Sequence, residues 1–192
     1  TRAITNGYST NNASIDPATV FNTDNNIYGV GLIENEAHTY QSQWTSGSTT
    51  CTFVLSTGVL TVSGNGAMDN YTYQSRPGWY SLRDYITHVV VEEGVTAIGQ
   101  YAFCECTAVV TVTIPSTMTT IGDYAFYQCT GTTDVYFHEN LQAANLTWTG
   151  TQGSFKSDGS TRCHVHPLQR DAYVTKFQVY VTFVGDPGYP FS

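Results

Sequence analysis

Apolar and polar residues along this chain follow two rhythms, a short one nested inside a long one. Over 88–92, Val89 and Val91 alternate with His88, Val90 and Glu92. This period of two predicts a short strand with one side in a core and the other turned out. The alternation returns at Val112 and Ile114. Each strand gives way to a turn at Gly94 or Ser116-Thr117, then to a second apolar run, Val95–Ile98 or Met118–Ile121, that ends at a glycine. Tyr-Ala-Phe follows at 101–103 and 124–126. It reads as a short helical corner that drops its phenylalanine between neighbouring units.

The long rhythm is a repeat, and repeats outrank local propensity in setting a fold. Sliding Ile86–Thr107 by 23 residues onto Val109–Thr130 leaves nine of 22 positions identical, among them Ile98/Ile121, Gly99/Gly122, Tyr101/Tyr124, Phe103/Phe126 and Cys106/Cys129. Chance would give about one or two. A third pass from Thr132 keeps Val135, Phe137 and Leu141 in register, then loses the signature in the polar stretch 145–162, whose glycines mark a loop insertion. A 23-residue unit cannot enclose its own apolar side, so units must stack and share it. The pattern predicts a solenoid with Phe103 and Phe126 stacked inside.

Val112-Thr-Ile-Pro115, then Met118-Thr-Thr-Ile-Gly-Asp-Tyr-Ala-Phe126 and Cys129, resembles the Treponema-type, or BspA-like, leucine-rich repeats of bacterial and some protist surface proteins. The likeness is specific over 86–141. Phe53–Met68, followed by Trp79-Tyr80, resembles the leader that often precedes such arrays. Glu92 departs from the pattern by standing where proline is common. The resemblance implies an α/β leucine-rich-repeat solenoid, mostly β with short helical turns, on a secreted or cell-surface protein. It also implies binding without catalysis, with no catalytic residue to carry over.

Stacked repeats need blunted ends. Thr52–Ser56 and Val59–Ser63, joined through Thr57-Gly58, read as a β-hairpin N-cap, with a short helix at Trp79–Tyr85. His164–His166 as a strand, Leu168–Phe177 as an amphipathic helix and Val179–Val184 as a final strand form a helix-strand C-cap. The expected organisation is an N-terminal arm over 1–45 with a strand at Ile27–Ile33, the hairpin and short-helix cap over 46–85, and repeats over 86–141. A loop insertion over 142–162 and the C-terminal cap and tail over 163–192 complete it.

Composition narrows the function classes. Fifteen acids against seven bases give a net charge of −8, which argues against a general nucleic-acid binder, because phosphates need a basic surface. No apolar run approaches the roughly 20 residues of a membrane span, so no membrane insertion is expected. Five cysteines, Cys51, Cys104, Cys106, Cys129 and Cys163, are an odd number and leave at least one thiol outside any disulfide framework. Cys106 and Cys129 share a repeat position, where parallel stacking points both Cβ atoms the same way, so buried free thiols are expected. Cys104-Glu-Cys106 and Cys163-His-Val-His166 contain zinc-ligating types without the spacing of structural sites. Nothing in the spacing forces two carboxylates together, and no nucleophile elbow, phosphate loop or dinucleotide fingerprint occurs. No cofactor, metal or enzymatic activity is expected. Sequons at Asn12, Asn70 and Asn145 are as frequent as chance allows in so Ser/Thr-rich a chain.

The functional candidates are the outward strand positions, which stacking turns into columns: His88, Thr111, Asp134; Val90, Thr113, Tyr136; and Glu92, Pro115, His138. The expected contact face is therefore His88, Val90, Glu92, Thr111, Thr113, Asp134, Tyr136 and His138, with Tyr136 as its anchor. The expected partner is an extracellular protein or glycan. The alternative is a structural spacer or cap of a larger surface protein.

Overall fold

The computed structural model describes residues 33–34, 40–148, 155, 159–177 and 181–185. Strands dominate these residues and are numbered in chain order. A nine-stranded sheet holds, side by side, β1 (Ile33–Glu34), β2 (Tyr40–Ser46), β3 (Thr49–Val54), β4 (Val59–Gly64), β6 (His88–Val91), β8 (Thr111–Ile114), β10 (Asp134–Phe137), β12 (Arg162–Val165) and β13 (Thr182–Gly185). A four-stranded sheet holds β11 (Thr147–Trp148), β9 (Thr120–Ile121), β7 (Val95–Ile98) and β5 (Gly66–Ala67). β1 to β4 pair antiparallel; from β4 onward every neighbouring pair in the large sheet is parallel. The one α-helix among the described residues is α1 (Arg170–Lys176).

Period-two alternation explains which side chains fill the space between the sheets. Leu60, Val89, Val112, Val135, Cys163 and Phe183 lie opposite one another along the large sheet, all buried. Ile98, Ile121 and Trp148 do the same in the small one. An aromatic spine runs between them: Phe103 stacks on Phe126 at 5.2 Å and Phe126 on Phe155 at 4.8 Å. Trp79 meets Phe103 at 6.0 Å and Trp44 meets Trp79 at 6.1 Å at one end. Trp148 joins Phe155 and Phe177 at 6.1 and 6.0 Å at the other. The expected phenylalanine stack is thus present and longer than the repeat alone predicts.

Threonine hydroxyls tie neighbouring chain passes together. Thr119 Oγ1 donates to the Thr96 carbonyl at 2.9 Å, Thr132 Oγ1 to Val109 at 3.1 Å and Thr161 Oγ1 to Thr132 at 3.0 Å. At Thr132 and Thr161 these bonds satisfy buried hydroxyls that would otherwise be desolvated without a partner.

The Tyr-Ala-Phe corners differ from the expected helical pieces. Residues 101–105 and 123–126 are successive turns, and Tyr101, Glu105, Tyr124 and Gln128 have φ of 54°, 63°, 56° and 57°. The left-handed residues interrupt any helix. They let Tyr101, Phe103 and Glu105 N–H groups donate outward to the Asp123, Ala125 and Tyr127 carbonyls of the next pass, at 3.1, 2.8 and 2.7 Å. Inter-pass bonding wins over local helix.

The flanks hold further differences. The hairpin of β3 and β4 is present with Val54 opposite Val59, and β2 extends it by a third antiparallel strand. A 3₁₀ turn covers Gly78–Leu82 where a short helix was expected. Within 142–162, β11 and the buried Leu146, Trp148 and Phe155 pack onto the core. At the C-terminal end α1 buries Tyr173, and β13 pairs with β12. The expected strand over 27–33 lies outside the described residues except for Ile33, which opens β1, and most of the expected arm lies outside them too, as does Asn12.

Candidate functional site

Strand register decides which outward side chains meet. In the first column His88, Thr111 and Asp134 lie opposite one another, and the column continues to Arg162 and Thr182 in one direction and to Val59 and Val54 in the other. The second runs Gln43, Thr52, Thr61, Val90, Thr113, Tyr136, His164, Val184. Over β2 to β4 this second column is made of an amide and hydroxyls. Over β10 and β12 the surface becomes aromatic and ionic.

Asp134 is the hub of that second half. It accepts from Arg162 Nε and Nη2 at 2.9 and 3.1 Å, and its Oδ1 lies 2.7 Å from His164 Nε2. Burial works against its ionisation, but hydrogen bonds from Arg162, His164 and Thr133 outweigh burial and hold the carboxyl down to about 2. Bidentate pairing with a planar guanidinium is the strong form of this contact. The His164 ring stacks on Tyr136 at 4.6 Å and 18°. Next door, His88 Nδ1 lies 2.7 Å from Thr111 Oγ1.

The expected face is therefore uneven. Glu92 is exposed; His88, Val90, Thr111, Tyr136 and His138 are half-buried. Thr113 and Asp134 are buried at 6% and 7% exposure, so neither side chain is presented for direct contact as the expected face requires. Pro115 is buried as well. Beyond the strand ends, Glu93 accepts from Ser116 N and Oγ at 2.8 and 2.9 Å and lies 3.8 Å from His138 Nε2. Burial disfavours the Glu93 carboxylate, but the hydrogen bonds from Ser116 and the nearby His138 together outweigh it and hold the carboxyl below its ordinary value.

Arg162 is not among the expected face residues, and His164 is expected in the C-cap strand and as a zinc-ligating type but not on the contact face. The spacing hid both: β8 follows β6 at 23 residues, but Arg162 follows Asp134 at 28. A fixed-period search puts a different residue opposite Asp134.

The zinc-type residues do not converge. His164 Nε2 is engaged by Asp134, His166 Nδ1 accepts from Leu168 N at 3.2 Å, and Cys163 is buried on the inner side. Among the described residues no three His, Cys, Asp or Glu side chains are grouped to hold a metal ion. All five cysteines are free and buried. Burial pushes the Cys51 and Cys106 thiols up to about 12, and Cys129 Sγ donates to the Phe103 carbonyl at 3.0 Å. Such thiols pack as small hydrophobes. No helix among the described residues is long and apolar enough to cross a membrane.

The Asp134 hub carries a testable sign. Its folded-state value lies below the ordinary 3.8, so its contribution to stability is present above about pH 4 and is lost as pH falls toward 2. The full shift corresponds to about 2 kcal/mol. Asp134→Asn is expected to lower stability at neutral pH and to flatten the acid limb of the stability curve between pH 4 and 2. Urea titrations at stepped pH check this, and parallel curves for the two proteins would contradict it.

Parallel strands in register, a shared aromatic core and turns at each corner define a leucine-rich-repeat type of fold. Residues 79–147 match the family model described as BspA type Leucine rich repeat region (6 copies). Repeats of this family are generally non-catalytic and typically surface-associated. A leucine-rich repeat protein from Eubacterium ventriosum, known from a crystal structure, is similar at 26% identity and a TM-score of 0.48. That match covers 76% of this chain, which spans about 40% of the other protein's length. The comparison with curated proteins found no match.

Proposed function

We propose that this chain is an extracellular or cell-surface interaction module, a capped solenoid of 23-residue units that binds a protein or glycan through the outward face of its large sheet. No covalent chemistry is involved. The observation that supports this most is the unbroken column from Gln43 to Val184 across eight strands. Rigid columns of this kind offer a pre-ordered surface, which lowers the entropy lost on binding. In this reading the hairpin of β3 and β4 is the N-terminal cap, and α1 with β13 the C-terminal one.

Tyr136 is the anchor, because aromatic side chains give large contact area at low entropy cost, and its stack on His164 fixes the ring. Tyr136→Ala is expected to weaken ligand binding by about 1–2 kcal/mol with circular dichroism and melting point nearly unchanged. The experiment is a glycan and protein array probed with the purified chain and with this variant. Reproducible hits lost in the variant support the reading. A silent array favours a structural spacer within a larger surface protein, and loss of binding together with unfolding would reduce the effect to stability.

A further inference from the structure

A second surface lies at the corner where Tyr101 and Tyr124 sit, away from the outward strand columns. The two rings stack at 4.9 Å and 22°, and Tyr127 meets Tyr124 edge-on at 5.5 Å. Tyr124 is 40% exposed. The same corner turn reaches Glu105, which takes the Arg76 guanidinium at 3.2 Å and the Tyr80 hydroxyl. Arg76 lies 4.2 Å from the Tyr73 ring centre and 4.5 Å from that of Tyr80, and Arg83 lies 4.6 Å from Tyr80. Tyr73 is 56% exposed.

Two features say what such a surface takes. First, the protein itself already places guanidinium groups on the neighbouring Tyr73 and Tyr80 rings, the arrangement in which a cation gains most from the electron-rich ring face. Second, the charge balance favours a basic partner. Arg76 is neutralised by Glu105 and Arg83 by Asp84, Asp123 adjoins Tyr124, and acids exceed bases fifteen to seven over the whole chain. Such a field draws in cations and repels acidic ligands. Before any partner arrives Tyr101 and Tyr124 are held by stacking on each other and Tyr73 by the Arg76 guanidinium on its face, so little ordering remains to be done.

We infer that this corner is a docking surface for a basic, arginine-bearing segment of a partner protein, whose guanidinium groups stack on Tyr73, Tyr101 and Tyr124. The site is separate from the strand face and stands or falls independently of it. Arginine is preferred over lysine because its planar, weakly hydrated head stacks on aromatic rings, whereas an ammonium keeps its water.

The test is calorimetric titration of the full chain with a nona-arginine peptide, a nona-lysine peptide and maltoheptaose, at low and physiological salt. Nona-arginine is expected to bind about fivefold more tightly than nona-lysine, the size of one to two exposed ring–cation contacts. The Tyr101→Ala/Tyr124→Ala pair removes that preference, and the Tyr101→Phe/Tyr124→Phe pair keeps it, since the ring and not the hydroxyl carries the contact. Tyr136→Ala leaves it intact. NMR of the unsubstituted chain covers the case in which the alanine pair fails to fold: nona-arginine should shift the ring signals of Tyr73, Tyr101 and Tyr124. Equal affinity for the two peptides, shifts confined to the strand face, or maltoheptaose binding through the same tyrosines without an arginine preference would each overturn the inference.

Discussion

Phe126→Ala is expected to lower the unfolding free energy by about 3–5 kcal/mol, the range for emptying a fully enclosed aromatic site. The ring is wholly buried and lies between Phe103 and Phe155, at 5.2 and 4.8 Å. Its removal opens a gap in the middle of the spine that links β2 to α1. Neither neighbour can slide in to close it, because Phe103 is held against Trp79 and Phe155 against Trp148. Each lost stack adds about 0.5–1.5 kcal/mol to the loss from area alone. Phe126→Leu, which keeps most of the volume, is expected to lose less. Urea denaturation measures both, and an alanine variant with an unchanged midpoint would show that the spine is not what holds the repeats together.

Gly99→Ala is expected to be nearly as damaging, at about 3 kcal/mol, for the opposite reason of overfilling. A Cβ there would stand 1.7 Å from the Asp69 carbonyl oxygen and 2.7 Å from its carbon. Both are backbone atoms of the preceding pass, so no side-chain rotation relieves the clash. The Gly99 backbone is not left-handed; its requirement is for close approach alone. Gly159→Ala is the contrast, with nothing within 4 Å of the added carbon but a φ of +75°, and should lose only about 1 kcal/mol. If thermal or urea unfolding ranked the two glycines equally, the pass-to-pass contact at Gly99 would be looser than its geometry implies.

These sites show how the repeat constrains itself. Gly99 and Gly122 recur at 23 residues beside Ile98 and Ile121, and a Cβ at Gly122 would likewise lie 2.7 Å from the Gln100 nitrogen. Recurrence of a glycine next to a buried isoleucine is the mark of a backbone that must pass close to its neighbour.

The inner face of the repeats is readable from residue order alone. Val89, Val112 and Val135, the Ile98/Ile121 pair and the Phe103/Phe126 stack were legible because burial imposes apolar identity at a fixed period, and identity and period are both visible in one dimension. Residue order did not determine β2, whose inward residues include Ser42 and Ser46. Ser46 accepts from Tyr71 Oη and Asp69 N at 2.7 and 3.0 Å, so polar bonding replaces the apolar alternation that marks a strand. Nor did it determine the left-handed corners, where inter-pass hydrogen bonds outweigh the helix suggested by Tyr-Ala-Phe. On the outer face the eight expected residues were placed by alternation, but their exposure and partners were not. Asp134 sinks beneath Arg162 and His164, which arrive from 28 and 30 residues away. Only the tertiary structure decides such pairings, because the ladder fixes which strands are neighbours while the length of chain between them is free to vary.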